Sequence, residues 1–206
     1  MKDIYQVIFQ YIGIFFTLYL VGYTSFLMLS VTVGSSELWD IKRRGKLKNV
    51  LKKDYFVPVT IIVPAHNESV TIQATIRSLL ALKYKLYEII VVDDGSTDAT
   101  ADVMARAFSM KQIVRPIQRQ LKCQPAEAVF ETRAYKVPIT LIRKKNGGKA
   151  DALNMGINAA RYPYFICMDA DSVLQKDSLE KIVRPILEDD HVVAVGGTVR
   201  PCNGAQ

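Results

Sequence analysis

The chain opens on one long apolar stretch and then alternates short apolar runs with polar segments. Residues 4–33 contain no Asp, Glu, Lys, Arg or His. Because a membrane-spanning helix needs about 20 apolar residues, this stretch predicts one span with its core near residues 12–33. A signal peptide and a buried core helix are the alternatives, but the apolar part is longer than a signal peptide needs and no small-residue cleavage site follows it.

From residue 57 the pattern changes to short β-rich runs that alternate with helical periodicity. Within residues 68–82, for example, Ile72, Ile76 and Leu79 lie on one face of a helix. Such alternation is typical of a mostly parallel sheet flanked by helices. The predicted strands are residues 59–63 (ended by Pro64), 88–92, 137–142, 164–168 and 192–195. The predicted helices are residues 68–82, 98–108 and 150–160, and one that begins at a capping box of Asp177 and Glu180.

Residues 109–136 break this pattern, and their Lys and Arg residues outnumber their acidic residues. We predict an inserted loop or short helix there. It is either a solvated excursion or an electrostatic guide for an anionic substrate or a membrane.

The net charge of +7 is local rather than spread over the chain. Residues 42–53 hold seven basic residues and no acidic one, which leaves 20 of the 27 Lys and Arg to balance 20 acids. This distribution argues against a general nucleic-acid-binding surface. By the positive-inside rule it predicts a cell-membrane protein with its N-terminus outside and the rest cytoplasmic. The run itself either contacts anionic lipid or is a solvated linker.

The resulting domain boundaries are 1–36 for the transmembrane helix and its flanks, 37–56 for a basic juxtamembrane linker, and 57–206 for a nucleotide-binding domain. Three cysteines, Cys123, Cys167 and Cys202, form no Cys-x-x-Cys pattern, which fits a reducing compartment. Cys167 lies in a predicted strand and is expected to be a small core residue.

Two carboxylates follow the predicted strand at residues 164–168. Asp169 and Asp171 are spaced i and i+2, so they would point to the same side of an extended segment. Hard oxygen ligands of this kind suit Mg²⁺ or Mn²⁺, typically shared with substrate phosphates. The alternative is a surface turn, where Asp is common.

Four polar clusters fall after successive predicted strands, where open parallel sheets bind ligands. Gly148 would let the backbone approach a ligand, and Lys149 would add positive charge at a helix start, which suits a pyrophosphate. Glu68, Asp93 and Asp94 can accept hydrogen bonds from a base or a ribose, although Asp93 and Asp94 also suit a turn and a helix cap. The clusters are residues 64–68, 93–96, 146–149 and 169–171.

These clusters together resemble the beginning of family 2 glycosyltransferases, in the same order and over residues 57–197. The similar segments are Val-Thr-Ile-Ile-Val-Pro-Ala-His-Asn-Glu (59–68), residues 89–98, Asn-Gly-Gly-Lys-Ala-Asp-Ala-Leu-Asn (146–154) and residues 165–171. The resemblance is greatest to the membrane-bound processive enzymes that make poly-N-acetylglucosamine, chitin, hyaluronan or cellulose. It implies a GT-A fold, an α/β Rossmann-like and mostly parallel sheet flanked by helices, preceded here by one transmembrane helix.

The resemblance also implies a nucleoside diphosphate sugar, most simply a UDP-sugar, as donor, and Mg²⁺ or Mn²⁺ as cofactor. Glu68 and Asp94 would contact uridine, Lys149 the pyrophosphate, and Asp171 the metal, with Asp169 near the ribose, sugar or metal. The implied nucleotide-binding residues are Pro64, Ala65, Asn67, Glu68, Asp93, Asp94, Gly148, Lys149 and Asp169. The implied metal ligands are Asp169 and Asp171.

The implied reaction is inverting hexosyl transfer to an acceptor hydroxyl on a glycan or a lipid, which needs a general base. In that family the base and a later Gln-x-x-Arg-Trp motif lie well beyond the paired carboxylates, and that motif is absent here. We therefore expect an amino-terminal fragment whose base lies beyond Gln206, in a C-terminal part or a partner chain. The alternatives are a nucleotide-sugar-binding membrane module that performs no transfer, and a metal-dependent nucleotidyltransferase, whose usual Gly-rich basic signature residues 64–68 lack.

Overall fold

The computed structural model describes residues 2–51, 57–189 and 191–198, in two compact units divided between Tyr55 and Phe56. The first unit is helix α1 (Lys2–Leu51). Its segment Ile4–Val33 is long and apolar enough to cross a membrane, and none of that segment is buried. A buried core helix therefore does not describe it, whereas a signal sequence would satisfy the same criteria of length and composition. The side chains of the basic run 42–53 lie outside the described residues.

The second unit is built on a sheet that has six strands among the described residues, in the order β3-β4-β5-β2-β1-β6. The strands are β1 (Val59–Ala65), β2 (Tyr87–Asp94), β3 (Lys111–Ile113), β4 (Ala126–Thr132), β5 (Ile139–Lys144) and β6 (Tyr164–Cys167). Strands β5, β2, β1 and β6 are mutually parallel, whereas β4 is antiparallel to both β5 and β3. The predicted mostly parallel sheet is confirmed.

Helices cover both faces of the two central strands, β5 and β2. The helices are α2 (Ile72–Leu80), α3 (Thr100–Ala107), α4 (Lys149–Ala159) and α5 (Ser178–Glu188). Ile89 and Val91 belong to the cluster that includes apolar residues of α2, α3 and α5, whereas Ile90 and Val92 pack with α4. Successive strand residues alternate faces, so a strand covered on both sides needs an apolar run such as Ile89–Val92. Each fully buried aliphatic side chain contributes roughly 1.5–3 kcal/mol to this core.

Strand β1 continues past Pro64, contrary to the prediction that this proline ends it. The carbonyl of Ile62 accepts a hydrogen bond from Met168 on the β6 side, and Pro64 presents its nitrogen to the same side two residues later. Strand β6 has ended at Cys167, which is opposite Ile62. Pro64 has no N–H to extend this ladder beyond Ile62, and it is tolerated because it lies at the point where pairing with β6 stops.

Three predictions are wrong. Residues 109–136 are neither a plain loop nor a helix, because β3 and β4 extend the sheet there. Residues 192–195 form no strand, since no described strand pairs with them and an unpaired strand is not stable. Cys167 is exposed rather than part of the core, because β6 is the last described strand at its side of the sheet and its residues are only partly covered.

Candidate functional site

The parallel strands β5, β2, β1 and β6 all end at one edge of the sheet, and a cavity of about 240 Å³ lies there. The residues that line it are Pro64, Ala65, His66, Glu68, Asp94, Lys149, Ala152, Asp169, Ala170 and Asp171. We call the loops 66–71, 95–99 and 145–148, together with Asp93 and Asp94 at the end of β2, the inner wall, and residues 169–171 the acidic segment. Seven of the predicted site residues line the cavity, whereas Asn67, Asp93 and Gly148 do not.

Asn67 joins the first two loops of the inner wall. It has a positive φ of 58°, and its Oδ1 accepts hydrogen bonds from the backbone N–H groups of Thr97 at 2.8 Å and Asp98 at 3.3 Å. Its own N–H donates to Ser96 Oγ at 3.0 Å. Because these bonds are made within the wall, Asn67 supports the site rather than facing the cavity.

Asp98 also connects the loops 66–71 and 95–99 by hydrogen bonds. Its Oδ2 accepts the N–H of Ser69 at 3.1 Å, and its Oδ1 accepts the N–H of Thr100 at 2.9 Å together with the Thr100 hydroxyl. The hydrogen bond from the Thr100 hydroxyl is the largest cause that holds the pKa of Asp98 well below its usual range. Asp98 therefore joins the loop 66–71 to the first residue of α3.

Asp93 is almost fully buried and behaves as a turn residue. Its Oδ1 accepts the N–H of Ser96 at 3.1 Å, and its Oδ2 lies 3.7 Å from Arg143 Nε. These contacts match the alternative interpretation, in which Asp93 stabilises a turn.

Asp94 is also buried, but it reaches the cavity. Its two oxygens accept the N–H of Gly147 at 3.0 Å and the N–H of Gly148 at 2.7 Å, and the ammonium of Lys144 contacts it as well. The loop 145–148 is thus folded onto the end of β2. Gly95 permits this approach, because a Cβ at that position would lie 2.6 Å from the backbone nitrogen of Asn146.

Two further residues complete the inner wall on the β1 side. His66 Nδ1 lies 2.9 Å from the carbonyl oxygen of Asp94, so Nδ1 carries the hydrogen, since a carbonyl only accepts. Glu68 Oε2 accepts the hydroxyl of Thr71 at 2.5 Å, and the N–H of Glu68 donates to Thr100 Oγ1 at 2.8 Å. Both residues keep part of their surface toward the cavity.

Lys149 is the first residue of α4 and faces the acidic segment. Its Nζ lies 2.5 Å from Asp169 Oδ1, and both side chains are more than half exposed, so this pair is weakly held. Gly148 precedes it with a φ of 89°, a conformation that residues other than glycine rarely adopt. The free N–H groups of a helix start and the Lys149 charge together favour an anion at this point.

The acidic segment is a turn rather than an extended segment, because Ala170 and Asp171 are turn residues and the N–H of Ser172 donates to the carbonyl of Asp169 at 3.1 Å. A surface turn is the alternative that the sequence left open. Asp169 and Asp171 are exposed, whereas Met168 and Ala170 are buried, and the carbonyl of Ala170 accepts the hydroxyl of Thr75 at 2.5 Å. Two exposed carboxylates fit a hard divalent cation that also binds phosphate oxygens. No group of three His, Cys, Asp or Glu side chains able to hold a metal occurs among the described residues.

Sequence reasoning missed Lys144, Ala152 and Ala170. Lys144 is the most consequential of these, because its side chain is fully buried beside Asp94. Its neighbours Arg143 and Lys145 are exposed, and the alternation of a strand that continues to residue 144 was the only signal that could have separated them.

Comparison with known proteins identifies a family for this chain. The sequence model described as glycosyl transferase family 2 matches residues 60–129 and 123–205. The chain belongs to this family. It is 29% identical over 185 residues to poly-β-1,6-N-acetyl-D-glucosamine synthase of Staphylococcus aureus strain COL, and 30% identical to the synthase of Staphylococcus epidermidis. Each alignment covers 88% of this chain and 39% of the relative, so the chain spans about two fifths of these family 2 relatives.

The solved structure of a mannosyltransferase supports the fold. The mannosyltransferase PcManGT from Pyrobaculum calidifontis, in complex with GDP-Man and Mn²⁺, is 25% identical with a TM-score of 0.50. The match covers 70% of this chain and 39% of that chain. The GT-A fold expected from the sequence is confirmed.

Proposed function

We propose that this family 2 glycosyltransferase chain binds a UDP-sugar in the cavity and contributes the donor-binding half of an inverting hexosyl transfer to an acceptor hydroxyl. The observation that carries the proposal is that Glu68, Asp94, Lys149 and the acidic segment, far apart in sequence, line one cavity at the carboxyl edge of the sheet. Similarity to synthases of a polymer of N-acetylglucosamine supports UDP-N-acetylglucosamine as the first donor to test.

The nucleoside end of the donor would lie against the inner wall. Glu68 and Asp94 offer carboxylate oxygens to base N–H groups or ribose hydroxyls, and Pro64 and Ala65 provide apolar surface for the flat base. Asn67 and Asp93 would act indirectly, since their contacts lie within the wall. This division of roles refines the expected list of nucleotide-binding residues.

The diphosphate would lie between Lys149 and the acidic segment. Asp169 and Asp171 would hold Mg²⁺ or Mn²⁺, which neutralises charge on the leaving diphosphate when bound. Binding would exchange the exposed Lys149–Asp169 pair for contacts of Lys149 with phosphate oxygens, while the N–H groups at the start of α4 orient the same anion. A metal in the related mannosyltransferase complex supports this proposal.

The roles proposed above concern the donor and the metal, and not the acceptor. Inverting transfer needs a base that takes the proton of the acceptor hydroxyl, and we assign none of the described residues to that role. The proposed acceptor is a glycan or a lipid, and the proposed source of the base is a C-terminal part of the enzyme or a partner chain.

We further propose that α1 anchors the protein in the cell membrane, with the second unit in the cytoplasm. The apolar segment Ile4–Val33 supports the span, and the seven basic residues after it support the orientation. Protease accessibility of the run 42–53 in oriented vesicles tests the orientation, and cleavage only from the outside would reverse it.

Calorimetry on the full chain in detergent tests the donor site. We expect UDP-N-acetylglucosamine to bind in the presence of Mn²⁺, and Asp171→Asn to weaken that binding by roughly tenfold or more. Glu127→Gln on β4 is the matched control, because Glu127 is an exposed carboxylate that does not line the cavity. Binding that is independent of Mn²⁺ and unchanged in Asp171→Asn would refute the proposed site. Tighter binding of GDP-mannose would refute the choice of a UDP-sugar.

A further inference from the structure

Lys144 is a buried cation that none of the roles proposed so far uses. Its side chain has no exposed surface, although it lies at the end of β5, close to the cavity edge. The ammonium contacts Asp94, lies 2.7 Å from Asp151 Oδ1 and donates to the carbonyl of Lys145 at 2.9 Å. An ammonium has three hydrogens, so all three donors are satisfied.

This contact completes the surroundings of Asp94. The N–H groups of Gly147 and Gly148 hold one oxygen each of that carboxylate, and Lys144 supplies the positive charge. Burying a carboxylate without a cation is unfavourable. The position of Asp94 and the fold of the loop 145–148 therefore depend on Lys144.

Asp151 extends the same network away from the cavity. Its two oxygens each lie 3.1 Å from the N–H of Gln124, in the segment before β4. Its carboxylate also fills the space beside Gly147, where a Cβ would approach Asp151 Oδ1 to 2.6 Å. Asp151 thus contacts both the donor-site loop and the segment 120–124.

The rest of helix α4 holds that segment along one face. Asn154 Nδ2 donates to the carbonyl of Lys122 at 3.1 Å. Asn158 accepts the N–H of Leu121 at 2.8 Å and donates to the carbonyl of the same residue at 2.8 Å. Because residues 151, 154 and 158 share a helix face, α4 forms hydrogen bonds with the backbone of 120–124 at three successive positions.

The charges within this network explain why a lysine is needed. Burial by itself would lower the pKa of Lys144, but hydrogen bonds and charge from Asp151 and Asp94 outweigh it and raise the pKa above its usual value. Without the ammonium, two carboxylates would face each other across the space it occupies, and they would repel.

We propose that Lys144 and Asp151 form a positioning bridge, which orients Asp94 and the loop 145–148 for the nucleotide and couples them to the segment 120–124. The part that concerns the nucleotide rests on the proposed function. Lys144 is a positioning residue, since it acts through Asp94 and the glycine N–H groups and does not line the cavity.

Hydrogen exchange on the full chain without ligand tests the bridge directly, because the N–H groups of Gly147, Gly148 and Gln124 donate into it. We expect Lys144→Met to speed exchange by about tenfold or more in both 145–149 and 120–124, and Lys144→Arg to restore much of the protection. Asp151→Asn should speed exchange mainly in 120–124. Lys136→Met, a change of an exposed lysine in the turn before β5, should alter neither segment.

Binding of UDP with Mn²⁺ provides the second readout. We expect Lys144→Met to weaken it by roughly tenfold and Lys144→Arg by less. In the unsubstituted chain UDP should slow exchange in both segments, whereas in Asp151→Asn it should slow exchange in 145–149 alone.

The two readouts separate the two proposals. If the unsubstituted chain binds no UDP, the proposed function fails, and the exchange data without ligand still decide on the bridge. Unchanged exchange in both segments of Lys144→Met would overturn the bridge. Equal UDP affinity of Lys144→Met and the unsubstituted chain would overturn its positioning role. Should Lys144→Met fail to fold, Asp151→Asn decides the same question, because the two segments respond separately in that variant.

Discussion

The inner wall and the acidic segment both present carboxylates to one cavity, but the protein treats them differently. Asp94 is buried and lines the cavity, and its oxygens accept two backbone N–H groups and contact an ammonium. Asp98 of the inner wall is exposed and does not line the cavity, but its oxygens accept backbone N–H groups and a hydroxyl as well. Asp169 and Asp171 are exposed, and the ion pair of Asp169 with Lys149 is more than half exposed on both sides. One side of the cavity is therefore built by the fold, whereas the other remains open to a ligand.

The two regions therefore contribute differently to the free energy of unfolding and to ligand binding. A carboxylate that satisfies buried donors contributes to folding, and its loss leaves those donors without partners. An exposed carboxylate that accepts no backbone N–H groups contributes little to folding, so its position is available for binding a cation. Four substitutions test this separation through the free energy of unfolding, measured by urea denaturation of the full chain in detergent.

The largest effect is expected at Asp94. Asp94→Asn removes the charge that Lys144 and two glycine N–H groups face, and breaking a buried pair costs about 3–5 kcal/mol. Urea denaturation followed by circular dichroism measures the loss. A loss below about 1 kcal/mol would mean that the inner wall is no more essential to folding than the acidic segment.

The next effect is expected at Gly95. Gly95→Ala should cost about 2–3 kcal/mol, because it strains a φ of 66° and places a Cβ 2.6 Å from the backbone of Asn146. Gly148→Ala is the comparison, since Gly148 has open space around its Cβ position. Its φ of 89° and ψ of 166° lie in a region essentially confined to glycine, so backbone strain alone should cost about 1–3 kcal/mol there. A loss below about 1 kcal/mol in Gly95→Ala would show that the contact between the two loops contributes nothing.

A smaller and pH-dependent effect is expected at Asp98. Its pKa in the folded chain lies below the usual value, so its contribution to stability is complete above about pH 4 and is lost as the pH falls toward the folded pKa. Asp98→Asn should therefore be less stable than the unsubstituted chain at neutral pH, with a difference that shrinks below about pH 4. A difference that stays constant from pH 7 to pH 3 would contradict this account.

The smallest effect on folding is expected at Asp171. Asp171→Asn should change the free energy of unfolding by no more than about 0.5 kcal/mol, because the side chain is exposed, while it abolishes most Mn²⁺-dependent donor binding. The same denaturation and calorimetry on one preparation measure both. A large loss of stability together with unchanged binding would invert the comparison between the two regions.

Much of the fold was predictable because its signals are local. The apolar runs of β1 and β2 and the helical stripe of Ile72, Ile76 and Leu79 predicted a sheet covered by helices, and these residues are indeed buried. Strands β3 and β4 were missed because they form the partly exposed end of the sheet, where pairing of β4 with β5 and of β3 with β4, rather than a hydrophobic pattern, fixes the strands. Pro64 was misjudged for a similar reason, since its tolerance depends on where β6 ends.

The candidate site was predictable as a set of positions but not as a set of roles. Glu68, Asp94, Lys149, Asp169 and Asp171 were all expected at one edge, and the cavity brings them together. The sequence could not separate Asp93, whose carboxylate serves a turn, from Asp94, whose carboxylate reaches the cavity. That separation depends on which face of β2 each residue occupies and on the loop 145–148 that folds over it.

Local patterns along the chain were enough to predict the long apolar helix, the succession of parallel strands and the pair of carboxylates at i and i+2, because periodicity and charge act over a few residues. Folding then fixed which polar side chains bind one another inside the protein and which face the cavity. Lys144 shows the reason most clearly. In sequence it is one of three consecutive basic residues, and it becomes a buried partner of Asp94 and Asp151 only because the ends of β2 and β5 and the start of α4 meet around it.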